Sequence, residues 1–387
     1  MNSTVPSAMR KQLWQEETWE DMAVQEFFHV SGLTGTTKSE KDVPNACVHI
    51  IEDLAKSTGD RVTYGLLQKL GENSGVTGNN ELEGNESKKN VPEDKIYIDQ
   101  YRVATREAGT LEEQEAAYET RKASKTVLAA RLSEMITRQF FLKLAGIGNA
   151  SLVDVNGVAY SAAFDDGASK VNWSNDAKEI SDANQVAGTG PRYVAAAGCA
   201  SISNSTIMTP TILAKAVVKA RLATPKVQPI KYKGQTYYVC IMHDWQYEDF
   251  IAHSDVKAAL QNGWWRGEKN PLFSGADIVW RGVIIKKHEY IPFLDISALS
   301  SGYKHFNVAL GTNYGADCFR SLLLGRQAAV MATTKDKLSW AERDFDYGDK
   351  EGIKIGFKAG IKKPAFTTDS VSKEYGVIAI DTGATPL

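Results

Sequence analysis

The stretch from Asp60 to Gly146 constrains this chain more than any other part of it. From Thr110 to Ala145 there is neither glycine nor proline. Thr110-Leu-Glu-Glu113 has the form of a capping box, in which the Thr110 hydroxyl accepts the Glu113 amide and the Glu113 carboxylate reaches back to the Thr110 amide. Leu128, Leu132, Met135, Ile136, Phe140 and Leu144 recur at three- and four-residue spacing, which predicts one buried helix face. Gly146 and Gly148 supply left-handed stop positions. A helix of roughly 35 residues is about 50 Å long. Its first half, Glu112 to Lys125, is mostly charged and cannot bury a full face. The helix is therefore expected to leave its own core for part of its length, or to lie under another chain.

Ahead of the helix the pattern predicts a long hairpin. Asp60 to Leu70 reads as one strand and Asp94 to Thr105 as the return. About twenty residues between them are rich in Gly, Asn and Glu, a poor fit inside one domain. Two strands alone are barely stable in water. The loop is either disordered or an arm that packs on a neighbour. The regular β-formers in the flanking strands favour the arm.

Residues 1–56 read as helical pieces around Trp14, Trp19, Met22, Phe27 and Phe28, then a polar break at Lys38 to Asp42 and an apolar stretch from Ala46 to Leu54. Two readings stand side by side: ordinary core, or an arm lying along the same or an adjacent subunit. Beyond the helix, residues 147–205 are loop-rich β by composition. Pro210 to Ala223 predicts an amphipathic helix with Thr209 as cap, Pro210 at the first position and Ile212, Leu213, Ala216, Val217 and Ala220 facing inward. Tyr237 to Met242 predicts a buried strand, and Asp244–Ile251 and Ser254–Ala259 short helices. Residues 262–275 read as a loop with Trp anchors, and Asp277 to Ile291 as a strand pair turning at Arg281-Gly282. Ser321 to Met331 is strand or helix. Arg343 to Asp349 reads as a turn, with late strands at Lys350–Lys363 and Tyr375–Thr382. Strands and helices without repeating βαβ units argue an α+β fold.

Composition narrows the function classes. With 387 residues, two or three domains and a sizeable core are possible. A net charge of −2 argues against a dedicated nucleic-acid surface, which needs a basic excess. No apolar run approaches a membrane span, and Met1 to Ser7 lacks a signal peptide's apolar core. Cys47, Cys199, Cys240 and Cys318 are far apart, without metal-ligand spacing, which fits a reducing compartment.

Candidate chemistry is thin. His243-Asp244 suggests a base and its orienting partner, yet adjacent extended residues point opposite ways. Asp344, Asp346, Asp349 and Glu351 alternate as a cation site might require, but without the spacing of a calcium loop. Gly188-Thr-Gly190 lacks the rest of a phosphate loop. Trp264-Trp265 suits either a stacking platform or a loop anchor. No cofactor, metal or catalytic set is expected.

The runs Gly59-Asp-Arg-Val-Thr-Tyr64, Leu66-Leu-Gln-Lys-Leu70, Gly78-Asn-Asn-Glu-Leu-Glu-Gly-Asn-Glu86 and Ile98-Asp-Gln-Tyr-Arg102 together resemble the major capsid proteins of tailed bacteriophages, in the branch found in large-genome podophages. The resemblance implies that family's fold. Residues 1–56 would be an N-terminal arm, 57–108 the extended E-loop hairpin, 109–146 the spine helix, 147–230 the peripheral domain, 231–330 the axial domain and 331–387 a return to the peripheral domain. It further implies a non-enzymatic protein of the virion, made in the host cytoplasm, that assembles with itself as hexamers and pentamers into an icosahedral shell. Scaffolding and portal proteins, and in some members a decoration protein, would be its partners. The genome would lie inside without sequence-specific binding, and no membrane would be involved. The loop tip is the expected intersubunit contact: Glu72, Asn79, Asn80, Glu81, Glu83, Asn85, Glu86, Lys88 and Lys89. Gly and Asn there can adapt to non-equivalent neighbours. Beside this stand two other readings: a hydrolase or carbohydrate-binding protein with a Trp-lined groove, and a scaffold of small closed rings.

Overall fold

Two sheets share one helix. The computed structural model describes residues 22, 26–37, 45–54, 61–65, 76–78, 81, 83, 93–106, 120–147, 152–153, 189–198, 201–232, 234–264, 278–292, 307–308, 318–345, 350–368 and 371–385. In chain order these form α1 (Phe27–Val30), β1 (Thr34–Thr37), β2 (Val48–Leu54), β3 (Arg61–Gly65), β4 (Glu93–Tyr97), β5 (Asp99–Arg106) and α2 (Thr120–Ala145). Then come β6 (Leu152–Val153), β7 (Tyr193–Ala195), α3 (Pro210–Leu222), β8 (Ile230–Tyr232), β9 (Gln235–Met242), α4 (Asp244–Ala252) and α5 (Ser254–Trp264). The chain continues as β10 (Ile278–Trp280), β11 (Val283–Lys287), β12 (Asn307–Val308), β13 (Cys318–Leu324), β14 (Ala329–Phe345), β15 (Lys350–Lys362), β16 (Ala365–Thr368), β17 (Val371–Glu374) and β18 (Val377–Gly383). This is the α+β architecture that the sequence predicts.

One sheet runs β1-β2-β14-β15-β5 and is built around the long β14–β15 hairpin. The other runs β10-β11-β9-β13-β18-β7, with β8 beside β9. Helix α2 lies between them. Leu128, Leu132, Met135, Ile136, Phe140 and Leu144 are all buried, as their spacing predicts. They share one apolar cluster with Leu338, Trp340, Ile353, Ile355 and Phe357 of the first sheet and with Val239, Ile241, Leu322 and Leu324 of the second. A helix covered on two sides buries more than one stripe, so Ser133, Thr137, Gln139 and Lys143 are buried as well. Gly146 ends the helix at φ +74°, the left-handed position that costs glycine nothing. The described helix is 26 residues long; the Thr110 cap and the charged stretch to Glu119 lie outside the described residues.

Several elements depart from the sequence reading. The return strand is two strands, broken at Ile98: β4 pairs with β3, whereas β5 pairs with β15 and joins the large sheet. Helix α5 runs through Asn262 and Gly263 to Trp264, where a loop was expected. A single glycine is tolerated in a helix that has adequate support. Ser321–Met331, ambiguous by composition, is strand, turn and strand. Arg343–Phe345, expected in a turn, belongs to β14 and pairs with β15; residues 346–349 lie outside the described residues.

The described part of residues 1–56 belongs to this chain's own body. β1 and β2 are parallel strands of the first sheet, and Phe28 is fully buried. Glu26 caps α1, accepting the amides of Phe28 at 3.1 Å and His29 at 2.7 Å. Burial holds its carboxyl above the ordinary range, against those two bonds and one from Thr137 of α2. Trp14, Trp19 and Lys38 to Asp42 lie outside the described residues.

The aromatic seam between α1, α2 and the second sheet closes on His288. Its ring lies 4.4 Å from Phe27 and 4.8 Å from Phe141, and its Nδ1 accepts the Tyr290 amide at 3.0 Å. Burial, opposed by Asp244 and helped by His243, lowers its pKa from 6.5 to about 4. An unfolded chain takes up this proton first as pH falls, so the stability is whole above pH 6.5 and drains away toward pH 4. The loss is on the order of 3 kcal/mol. Melting at pH 7 and pH 4.5 should therefore show a larger drop for the parent than for His288→Asn, which keeps an acceptor but cannot charge. Equal drops would remove His288 from the account.

Candidate functional site

The expected contact surface is the far end of the β3–β4 hairpin, and its geometry is set at the root. β3 and β4 pair antiparallel from Arg61↔Tyr97 to Gly65↔Glu93. Alternation along β4 turns Asp94 and Ile96 inward. Ile96 is fully buried, in a small cluster with Val330 and Ala332 against which Val62, Tyr64 and Ile51 pack. Beneath it β15 passes so close that a Cβ on Gly360 would sit 2.3 Å from the Tyr97 carbonyl oxygen and 2.5 Å from Ile96 Cγ2. Only glycine fits that crossing.

Asp94 fixes the root. Its Oδ1 accepts from Lys362 Nζ at 2.7 Å, and its Oδ2 accepts from the Tyr64 hydroxyl at 2.7 Å and the Ala365 amide at 3.0 Å. Lys362 also donates to the Lys95 carbonyl at 2.7 Å. Asp94 and Lys362 are both buried, so the pair is little screened by solvent. The Tyr64 ring meets Phe366 edge-on at 5.6 Å, and Phe366 meets Tyr375 at 5.0 Å. The hairpin is thus clamped from both strands to β15 and β16. The sequence reading missed the Asp94–Lys362 pair; the signal at Asp94 is a charge at an inward-facing position of β4, between the exposed Glu93 and Lys95.

At the outer end, Thr77, Gly78, Glu81 and Glu83 are exposed. Glu72, Asn79, Asn80, Asn85, Glu86, Lys88 and Lys89 lie outside the described residues.

A second buried charge set joins α2 to the other sheet. Arg320 of β13 donates through Nε and Nη2 to the two oxygens of Asp381 on β18, each at 2.8 Å. Its Nη1 donates to the Ala145 carbonyl at the end of α2, at 3.2 Å. The Tyr193 hydroxyl of β7 donates to Asp381 at 2.8 Å. Nearby, Lys363 and Glu374 form an ion pair at 3.7 Å, both almost without exposure, and burial pushes the Lys363 ammonium down.

The residues considered for catalysis have structural roles. His243 caps α4: its Nδ1 accepts the Trp245 amide, while Gln246 accepts the His243 amide at 3.2 Å. Asp244 pairs instead with Lys287 at 3.2 Å. Asp344 lies across the β14–β15 ladder from Glu351, and Asp346 and Asp349 are outside the described residues. Among the described residues, no group of three or more His, Cys, Asp or Glu side chains is placed to hold a metal ion. Trp264 closes α5, and Trp265 is outside the described residues.

A family model described as phage capsid protein matches residues 9–386. The major capsid protein of Pseudomonas phage KPP25 is 25% identical over 376 residues, 96% of this chain and 94% of that one. The capsid of Ralstonia phage GP4 shares the fold with a TM-score of 0.69 and 23% identity, covering 93% of this chain and 92% of its own. The capsid of Cyanophage Pam1 gives a TM-score of 0.65 and 19% identity over 91% of each chain. The Trp-lined groove reading finds no support in these matches. With one capsid family spanning nearly its whole length and capsid subunits sharing its fold, this chain belongs to the phage capsid protein family and is a subunit of the virion head shell.

Proposed function

We propose that the chain is the major subunit of its shell, tiling an icosahedral head as hexamers and pentamers through a rigidly held arm, and that it works by geometry alone, without catalysis. Residues 57–108 act as the extended loop, 109–146 as the spine helix, and 147–230 with 331–387 as the peripheral part. Residues 231–330 form the axial part, whose β13 strand pairs with β18 of the 331–387 segment. Scaffolding and portal proteins guide assembly, with a decoration protein where one is made. The packaged genome is enclosed without sequence-specific contacts.

The observation that carries this reading is the clamp of Asp94, Lys362 and Tyr64 at the root of a hairpin whose described tip residues are polar and exposed. A flexible excursion has no use for a buried ion pair at its base. A lever that must present Glu72, Asn79, Asn80, Glu81, Glu83, Asn85, Glu86, Lys88 and Lys89 to a neighbour does. Contacts weak in one subunit become strong when repeated around a ring.

The test is to replace residues 72–91 by Asn-Gly, a favoured two-residue hairpin turn. Loop length enters stability logarithmically, so the subunit should fold with little change in melting. It should remain monomeric, or form small oligomers, by sedimentation and electron microscopy where the parent, expressed with its own head proteins, forms shells. Normal shells, or an unfolded subunit, would sink the arm reading.

A further inference from the structure

The outward side of the second sheet carries two helical surfaces of opposite charge at its two edges. Helix α3 packs over β18 and the edge strand β7, and α4–α5 cover the end at β9, β11 and β10, where Phe250 meets Trp280 and Asp244 meets Lys287. Both sets of helices share one apolar cluster, so they cover the same face of the sheet, away from α2.

The inner residues of α3 are accounted for: Ile212, Leu213, Ala216 and Ala220 are buried, and Lys219 turns in to donate to the carbonyls of Gly190 and Tyr193 at 2.8 Å each. Its outer stripe is Thr211, Lys215, Val218 and Leu222, at helical spacing along one side. Val218 is 53% exposed and Leu222 77%, among the few large apolar side chains left in water by the described residues. Exposed Arg221 and Lys226 flank them, and residues 209–229 contain no acidic residue.

The α4–α5 surface is the complement. Glu248 and Asp255 are exposed, with exposed Ala252 and Ala258 offering small apolar surface between them. Lys257 is the one exposed cation of these two helices among the described side chains, and nearby Lys287 is already held by Asp244.

We infer that the outer stripe of α3 docks on the acidic α4–α5 surface of a second copy of this chain, joining neighbours head to tail within one ring. This rests on the shell-forming reading and names the contact that closes the capsomer. A heterologous interface needs two different patches on one subunit, and these lie at opposite edges of one face. Leu222 and Val218 lose water against the alanines, while Lys215 and Arg221 meet Glu248 and Asp255. Because the charges are exposed before docking, the contact steers association and weakens in salt.

The experiment uses full-length chains with Lys215→Glu/Arg221→Glu, with Glu248→Lys/Asp255→Lys, and with all four changes. Every site is exposed, though Arg221 also bonds the Tyr238 hydroxyl, so melting should stay close to the parent. Each double variant should stay unassembled where the parent forms particles, and the fourfold variant should recover particles. An equal mixture of the two doubles can satisfy every contact only by alternating, which closes rings of six and not rings of five. It should give hexamers without closed shells. A double variant that assembles like the parent, or a folded fourfold variant and mixture that both fail, overturns the contact. A parent that forms no particles at all overturns the shell reading instead, and this inference with it.

Discussion

Asp381→Ala should destabilise the subunit by roughly 3–5 kcal/mol, the range for breaking a buried ion pair from one side. Asp381 is fully buried, and its two oxygens hold the Arg320 guanidinium in a bidentate pair while one of them also accepts from Tyr193. Without the carboxylate, Arg320 remains charged in the core and has lost its bidentate partner. A typical domain's whole stability is of similar size, so folded protein should be scarce at 37 °C. Urea titrations of the parent and of a joint Arg320→Met/Asp381→Leu variant make the comparison. Removing both charges leaves no buried charge without its counterion, so the joint variant should recover much of the loss, less what Tyr193 and the Ala145 carbonyl give up with those partners. A single variant within 1 kcal/mol or so of the parent would mean that water reaches Arg320.

Leu132→Asp should leave no soluble protein. Leu132 is 2% exposed, midway along α2 between Leu128 and Ile136, and belongs to the cluster shared by both sheets. An unpaired carboxylate there costs several kcal/mol or is driven to its protonated form. Leu132→Ala, which only opens a cavity, should cost about 2–5 kcal/mol and still yield material for melting curves. Soluble Leu132→Asp with the parent's circular dichroism and melting would place this position outside the core.

The spine helix was legible because its periodicity, stop glycine and core contacts all point the same way. What periodicity misses is how many sides of a helix are covered. Ser133 and Gln139 fall outside the face that the spacing predicts, yet both are buried. The hairpin was legible as a pair of strands, but its second strand was read as one. Its inward positions change parity, from Asp94 and Ile96 in β4 to Tyr101, Val103 and Thr105 in β5, where the partner changes from β3 to β15. Which partner each half takes is a long-range choice. The root clamp joins residues 268 apart in sequence, Lys362 to Asp94, which no window along the chain can see. Arg320 and Asp381 were closer to readable. Each is a charge inside an apolar run, Cys318–Leu324 and Val377–Gly383, and a buried strand tolerates a charge only when an opposite one waits across the ladder.

β18 lies between β13 and β7 in the interior of its sheet, pairing antiparallel with one and parallel with the other. Its Val377 enters one apolar cluster, while Ile378 and Ile380 enter the other. During synthesis, residues 193–324 must therefore wait for 377–383 before either core can close. Strand pairings this distant along the chain form late. Until then β7 and β13 have open edges, and the α3 and α4 surfaces have no fixed spacing across the sheet. On the proposed ring contact, a chain that lacks β18 cannot hold both surfaces in place at once. The strand nearest the C-terminal end among those described would then act as a completion check on the subunit.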